Sequence, residues 1–211
     1  MANYEKLDFW SLKAQKEGYP ARSVYKLQEI DKKFGLLPKN QGQINADFKV
    51  LELGAAPGSW SLYILRKLAG RGFLAACDIS PLSHRVDAGL FDGQNFFFKQ
   101  ADIFAPDTQT ELTAQGPFNL ILSDAAPSTS GGRNLDTARS MEIARAALAY
   151  SDAALRSGGS LCVKIFQGAG AAALIKETRP KFNMFKTFKP EACRSSSFET
   201  YMVGLGFKKR F

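Results

Sequence analysis

Apolar residues recur along this chain in two rhythms. Short, nearly continuous apolar runs bounded by Gly, Pro or Asp alternate with longer stretches in which apolar residues return every three to four positions. The short runs Val50–Leu53, Phe73–Cys77, Asn95–Phe98, Phe118–Leu122 and Ser160–Ile165 read as strands. Helices are expected from Ser59 to about Leu68, about Asp107 to Ala114, about Asp136 to Arg156 and about Ala171 to Arg179. An earlier helix spans Arg22 to Phe34, where Val24, Leu27, Ile30 and Phe34 form one apolar stripe and Gly35 is the stop signal. Two further β-like runs, Met184–Phe188 and Glu199–Leu205, are close enough to pair as an antiparallel hairpin. Strands alternating with helices imply an α/β fold: a doubly wound, mostly parallel sheet of seven strands that ends in that hairpin. Residues 1–19 hold Phe9 and Trp10 among several lysines without a clear period, and read as an arm that orders on a partner.

The run Lys49-Val50-Leu51-Glu52-Leu53-Gly54-Ala55-Ala56-Pro57-Gly58-Ser59-Trp60 is a buried strand, a tight turn and a helix start. Gly54 and Gly58 let a ligand approach the backbone, because no Cβ stands in the way. In open α/β sheets ligands bind beyond the carboxyl ends of the strands. Three other predicted strands run into Asp78, Asp102 and Asp124, which places three carboxylates on the same rim. Asp78 lies where nucleotide-binding α/β units hold a ribose diol, and Asp102 suits an adenine amino group, so the rim reads as an adenosine site. The turn has neither the Gly-x-Gly-x-x-Gly pattern of dinucleotide sites nor a phosphate loop. A phosphate-free adenosyl cofactor, S-adenosylmethionine, fits it better.

Charge separates the middle of the chain from its ends. The net charge of +8 divides into +3 over residues 1–40, −1 over 41–175 and +6 over 176–211. Two basic flanks carrying Tyr19, Tyr25, Phe182, Phe185 and Phe188 suit a polyanion such as RNA. Arg22 and Lys26 share one helical face, a repulsion that either an anion between them or Glu29 could relieve. The three cysteines and the single His84 have no metal-ligand spacing, so no metal is expected. No apolar run reaches the roughly 20 residues of a membrane helix, and the charged start Met1–Lys6 is unlike a signal peptide. The expected protein is a cytoplasmic, monomeric single domain (1–211), with a basic arm and helix (1–40) ahead of the α/β core.

Lys164 lies within the apolar run Leu161–Phe166, where a lysine must be paired or neutral. Burial favours the neutral amine, the form that acts as a base. Several stretches in order along the chain resemble the FtsJ-type ribose 2′-O-methyltransferases: Gly18-Tyr19, Ala21–Leu27, Glu29-Ile30-Asp31, Leu53–Ser61, Ala76–Ile79, Leu122–Pro127 with Ser130-Gly131, Gly158-Gly159 through Lys164, and Lys189-Pro190 through Arg194, Ser197, Glu199 and Tyr201. The resemblance implies a Rossmann-like methyltransferase fold and a catalytic tetrad of Lys26, Asp124, Lys164 and Glu199, with Lys164 as general base. It further implies cofactor contacts from Gly58, Trp60, Asp78, Asp102 and Asp124 beside the Gly54 turn. Departures are Ser59 where Gly is common, Phe198 where Arg is common, Glu52 in place of Asp with its charge kept, and a longer connector at 38–48.

The activity so implied is 2′-O-methylation of a ribose, a uridine, in ribosomal RNA of the large subunit. Arg22, Lys181, Lys186, Lys189 and Arg194 would hold the RNA backbone. A tRNA ribose methyltransferase, a non-catalytic ribosome-assembly factor and a small-molecule methyltransferase are the competing readings. The intact tetrad argues against the second, and the two basic flanks argue against the third.

Overall fold

A computed structural model describes residues 8–39, 44–127, 132–168, 170–194 and 196–209. Seven strands form one sheet: β1 (Lys49–Leu53), β2 (Phe73–Asp78), β3 (Phe96–Gln100), β4 (Phe118–Ser123), β5 (Leu155–Phe166), β6 (Phe182–Phe188) and β7 (Glu199–Phe207). Their order across the sheet is β3-β2-β1-β4-β5-β7-β6. The first five run parallel, and β7 is antiparallel to both β5 and β6. The expected hairpin is present, but of its two strands β7 lies inside the sheet and β6 at one edge, with β3 at the other.

Six helices cover the two faces: α1 (Phe9–Lys16), α2 (Val24–Phe34), α3 (Ser59–Leu68), α4 (Pro106–Ala114), α5 (Arg133–Ala154) and α6 (Ala171–Thr178). One apolar cluster joins α1, α2 and α3 to the sheet through Leu27, Ile30, Trp60, Leu62 and Leu122, and the other joins α4, α5 and α6 through Leu112, Ala147, Leu174, Ile121 and Val163. Alternate residues of each strand feed opposite clusters, as the two-residue period of a strand requires. α3 is buried along nearly its whole length because the sheet lies on one side and α2 on the other.

The first segment departs from the expected arm. Residues 9–16 form α1, capped by Asp8, whose carboxylate accepts from Ser11 N at 2.9 Å. Trp10 packs on Tyr25 with ring centroids 5.0 Å apart, and Ala14 is buried beneath them. Eight residues make a marginal helix alone, so this one is held by its cap and by α2. A second departure is the junction of α5 and β5. The helix ends at Ala154 and the strand starts at Leu155, with no Gly158-Gly159 break between them. The register shifts between the pairs Phe118–Leu155 and Leu120–Ser160, so the extra residues, Arg156 to Gly159, form an irregularity in β5.

Parallel pairing puts Leu53, Cys77, Ser123 and Val163 on one rung. The next residue of each strand is Gly54, Asp78, Asp124 or Lys164. The chemistry-bearing side chains therefore meet along one rim, where the sheet order reverses between β1 and β4.

Candidate active site

On this rim lies a pocket of about 580 Å³, lined by Gly54 and Ala56 of the first turn, by Asp78, Asp102 and Asp124, and by apolar walls that include Ile79, Ile103, Phe104 and Ile143. That volume is typical of a small-molecule site. Asp78 is fixed by two backbone donors, Ala56 N to Oδ2 at 2.9 Å and Ser80 N to Oδ1 at 2.8 Å. Asp102 Oδ1 accepts from Phe104 N at 2.9 Å. Each carboxylate keeps lone pairs for a ligand's hydroxyl or amino groups. Gly54 has φ +79°, and a Cβ there would lie 2.5 Å from Ala125. Only glycine lets the β1 turn approach the β4 loop this closely. Among the described residues no Lys or Arg lines the pocket, so these offer no cationic phosphate cradle. Three carboxylates and apolar walls fit a cationic adenosyl sulfonium, which is the chemistry of S-adenosylmethionine.

Asp124 also faces a second group of charges. Lys164 Nζ lies 3.0 Å from Asp124 Oδ1 and donates to the Asp124 carbonyl at 2.5 Å. Tyr201 donates its hydroxyl to Asp124 Oδ1 at 2.7 Å. Lys26 pairs with Glu199 at 2.8 Å. Lys164 and Glu199 are only 6% and 8% exposed, so these charges are largely removed from water. Burial alone would raise the Asp124 pKa, but Lys164, Lys26 and the Tyr201 hydroxyl outweigh it and hold the carboxyl below its ordinary value. Burial likewise works against the charge on Lys26, and Asp124 and Glu199 overcome it, so its pKa is raised. The result is a compact cluster of two lysines and two acids with no net charge.

A model of the FtsJ-like methyltransferase family matches residues 19–207. The chain belongs to the FtsJ-like methyltransferases. It is 46% identical over 205 residues to ribosomal RNA large subunit methyltransferase E of Treponema denticola, with 97% of each chain covered. It is 45% identical over 203 residues to the protein of the same name from Oleidesulfovibrio alaskensis, covering 95% of this chain and 92% of that one. Among solved structures, a Plasmodium falciparum chain named as a ribosomal RNA methyltransferase superposes with a TM-score of 0.73 at 25% identity, covering 91% of this chain and all of that one.

In this FtsJ-like protein the expected residues divide. Gly54, Asp78, Asp102 and Asp124 line the pocket, and Lys26, Asp124, Lys164 and Glu199 come together beside it. Gly58 and Trp60 do not line the pocket. A Cβ on Gly58 would strike the Phe91 ring at 2.6 Å, so this glycine serves the packing of the following loop. Trp60 is buried: its Nε1 donates to Ser23 O at 2.8 Å and its ring packs on Tyr201. It packs beneath Tyr201 and is not among the described residues that line the pocket.

Among the expected RNA contacts, Lys181 stands apart from the others. It pairs with Asp152 at 2.6 Å and its carbonyl accepts from Lys208 N, beyond the far end of β7 from Glu199. Nine residues of strand separate those ends by roughly 25 Å. Lys186 is exposed on the edge strand β6, and Lys189 donates to Ser197 O at 2.5 Å. Arg22 pairs with Asp8 and donates to Ala192 O at 2.6 Å. Asp8 and Glu199 thus neutralise Arg22 and Lys26 separately. Glu29 instead accepts from Glu191 N and Ala192 N at 2.7 and 2.9 Å.

At Glu52 burial works against the charge. The residue is 1% exposed, Ser61 donates to its Oε2 at 2.6 Å, and its Oε1 has no hydrogen-bond partner among the described residues. Burial pushes its pKa up to about 8, and the negative charges of Asp124 and Asp78 add to the shift. Ser59 Oγ accepts from Ala21 N at 2.8 Å and so ties α3 to the segment before α2. Phe198 packs edge-on against Phe166, with Arg133 over its ring at 5.3 Å. Residues 40–43 of the long connector and 128–131 of the Ser130-Gly131 stretch lie outside the described residues.

Tyr201 is the functional candidate that strand reading missed. Glu199 and Tyr201 stand two apart at the start of a strand, so they share a face. That alternation was the available signal.

Proposed function

We propose that this protein methylates a ribose 2′-hydroxyl in large-subunit ribosomal RNA, with S-adenosylmethionine as methyl donor, and that it acts as a single-domain monomer. The observation that supports this most is the Lys26–Asp124–Lys164–Glu199 cluster set beside the carboxylate-lined pocket, in a chain whose relatives are named as methyltransferases of that RNA. When bound, S-adenosylmethionine supplies a methyl group already activated by its sulfonium charge.

The residues would then divide the work. Asp78 accepts from the ribose hydroxyls of the donor, and Asp102 from its adenine amino group. Ile79, Ile103 and Phe104 exclude water from the adenosine. Two directions of the Lys164 ammonium are taken by Asp124, through its carboxylate and its carbonyl. The third, once deprotonated, is a lone pair for the acceptor hydroxyl, so Lys164 acts as general base. Asp124 fixes Lys164 on the shared wall between the two substrates. Lys26 and Glu199 position the acceptor ribose and preserve charge balance, which brings oxygen and methyl carbon into line.

The test incubates the protein with labelled S-adenosylmethionine and, separately, isolated large subunits, their deproteinised RNA and bulk tRNA, and then maps the modified nucleotide. Label on one ribose of the large-subunit RNA is expected. Label confined to tRNA, or none at all, would overturn the assignment.

A further inference from the structure

Beside the donor pocket, on the other side of the Ala55–Gly58 turn, lies a second cleft of about 630 Å³. Its walls include Tyr19, Arg22, Pro57, Ser83, Arg85 and Arg194, and among the described residues no Asp or Glu lines it. The two clefts have opposite character: one is lined by three carboxylates and the other by three guanidinium groups. Arg22 is occupied by Asp8 and the Ala192 carbonyl. The guanidinium groups of Arg85 and Arg194 have no hydrogen-bond or ion-pair partner among the described residues, and both residues are exposed.

Both free arginines stand on braced loops. Ser83 N donates to Pro57 O at 3.0 Å, and His84 Nδ1 contacts Asp87 at 2.9 Å, which fixes the segment on either side of Arg85. The loop of Arg194 is held by Glu29, which binds the amides of Glu191 and Ala192, and by Ser197 N donating to Arg194 O at 2.9 Å. A guanidinium on a fixed base loses little freedom when it binds, and it matches phosphate oxygens with paired donors. The cleft also leads to the acceptor site. Arg22 lies about one helical turn before Lys26, and Arg194 lies on the loop that runs into Glu199.

We propose that this cleft is a subsite for the RNA strand: it holds the phosphodiester of a nucleotide flanking the methylated one, with Arg85 and Arg194 as its phosphate ligands. The proposal rests on the RNA reading above and adds a residue, Arg85, that neither the charge pattern nor the family resemblance singled out. Its place in the loop after β2, next to Ser83 and Pro57, couples the grip on RNA to the same turn that shapes the donor pocket.

The test uses the full chain and a large-subunit RNA fragment carrying the mapped target. R85A and R194A should each raise KM for RNA about 5- to 20-fold with kcat changed less than about twofold, and should flatten the log–log salt dependence of RNA binding by about one. R85K should recover part of the loss. Affinity for S-adenosylhomocysteine, measured by calorimetry, should stay at the wild-type value and so report an intact fold. A neutral methylphosphonate at one flanking phosphate should weaken wild-type binding and add little to R85A. Wild-type KM and salt slope in R85A, or an equal methylphosphonate penalty in both proteins, would overturn the subsite. Absence of RNA methylation by the wild type would overturn the RNA reading itself, and the subsite with it.

Discussion

Tyr201 donates its hydroxyl to Asp124 Oδ1 at 2.7 Å, and the same oxygen faces Lys164 Nζ at 3.0 Å. One carboxylate oxygen therefore collects a phenol and an ammonium, and its position is set from two strands, β5 and β7. Loss of either donor should move or loosen the other. Y201F removes one hydrogen bond to a charged group, worth about 1.5–3 kcal/mol. It should lower kcat several-fold with little change in KM, and lower the urea midpoint. Unchanged kcat would show that the Tyr201 hydroxyl does not help to hold Asp124.

Lys164 is expected to accept the proton of the acceptor hydroxyl. K164A should reduce single-turnover methyl transfer by about 10²- to 10⁴-fold, the usual worth of a positioned base. Calorimetry with S-adenosylhomocysteine should show the donor pocket still binding. Near-normal transfer with intact binding would remove Lys164 from that role.

Lys26 and Glu199 form a pair that is mostly withdrawn from solvent, with side chains 14% and 10% exposed. Removing one partner leaves the other charge buried, a loss of about 3–5 kcal/mol in comparable pairs. K26M and E199L should each lower the melting temperature. The double variant should regain much of that stability while remaining inactive. A double variant no more stable than the singles would mean that burial of an unpaired charge is not what the singles suffer from.

Glu52 makes stability depend on pH. Its carboxyl titrates near 4.5 when exposed and at about 8 in the folded protein, so folding takes up a proton between those values. Stability should therefore fall as pH rises through this window, by at most about 1.4 kcal/mol per pH unit, and level off above it. E52Q keeps the shape without the titration and should flatten the fall. Urea denaturation of both proteins at about pH 5 and about pH 9 checks this, with m-values compared to confirm the same transition. Parallel pH dependence in both would exclude Glu52 as the source.

Gly54 is the narrowest point of the donor turn. G54A places a Cβ against the Ala125 backbone and forces a positive φ on alanine. It should weaken S-adenosylhomocysteine binding by at least about tenfold, since the conformation alone costs about 1–2 kcal/mol and the β4 loop must also shift. Wild-type affinity in G54A would show that the turn relaxes without disturbing the pocket.

The alternation of strands and helices could be read from the chain because buried parallel strands are short continuous apolar runs, and α2 and α3 show a clear helical period. The carboxylates at 78, 102 and 124 were legible for the same reason: a residue just past a parallel strand must lie on the rim. Three features were not. α1 has almost no amphipathic signal, and its order comes from Asp8 and from the contact of Trp10 with Tyr25. Trp60 is near the turn in sequence, but the helical twist of α3 carries its ring under the turn and away from the pocket. Lys181 contributes to the basic tally of its flank, yet a net charge does not record at which end of the sheet a lysine stands. The resemblance named the four members of the charged cluster. Only the register of β7 against β5 shows that Tyr201 joins them, opposite Lys164.

β7, the last strand of the sheet in chain order, is not at its margin: it is wedged between β5 and β6. The walls of the donor pocket all come from residues 54–143, whereas Glu199 and Tyr201 arrive with β7. The residues that line the pocket therefore precede, in order of synthesis, two members of the cluster beside it. Until β7 emerges, β5 and β6 present open backbone edges, which are the usual templates for misassembly. One strand thus joins β6 to the rest of the sheet and brings Glu199 and Tyr201 to Lys26, Asp124 and Lys164, so a chain that has not placed β7 lacks the charged cluster.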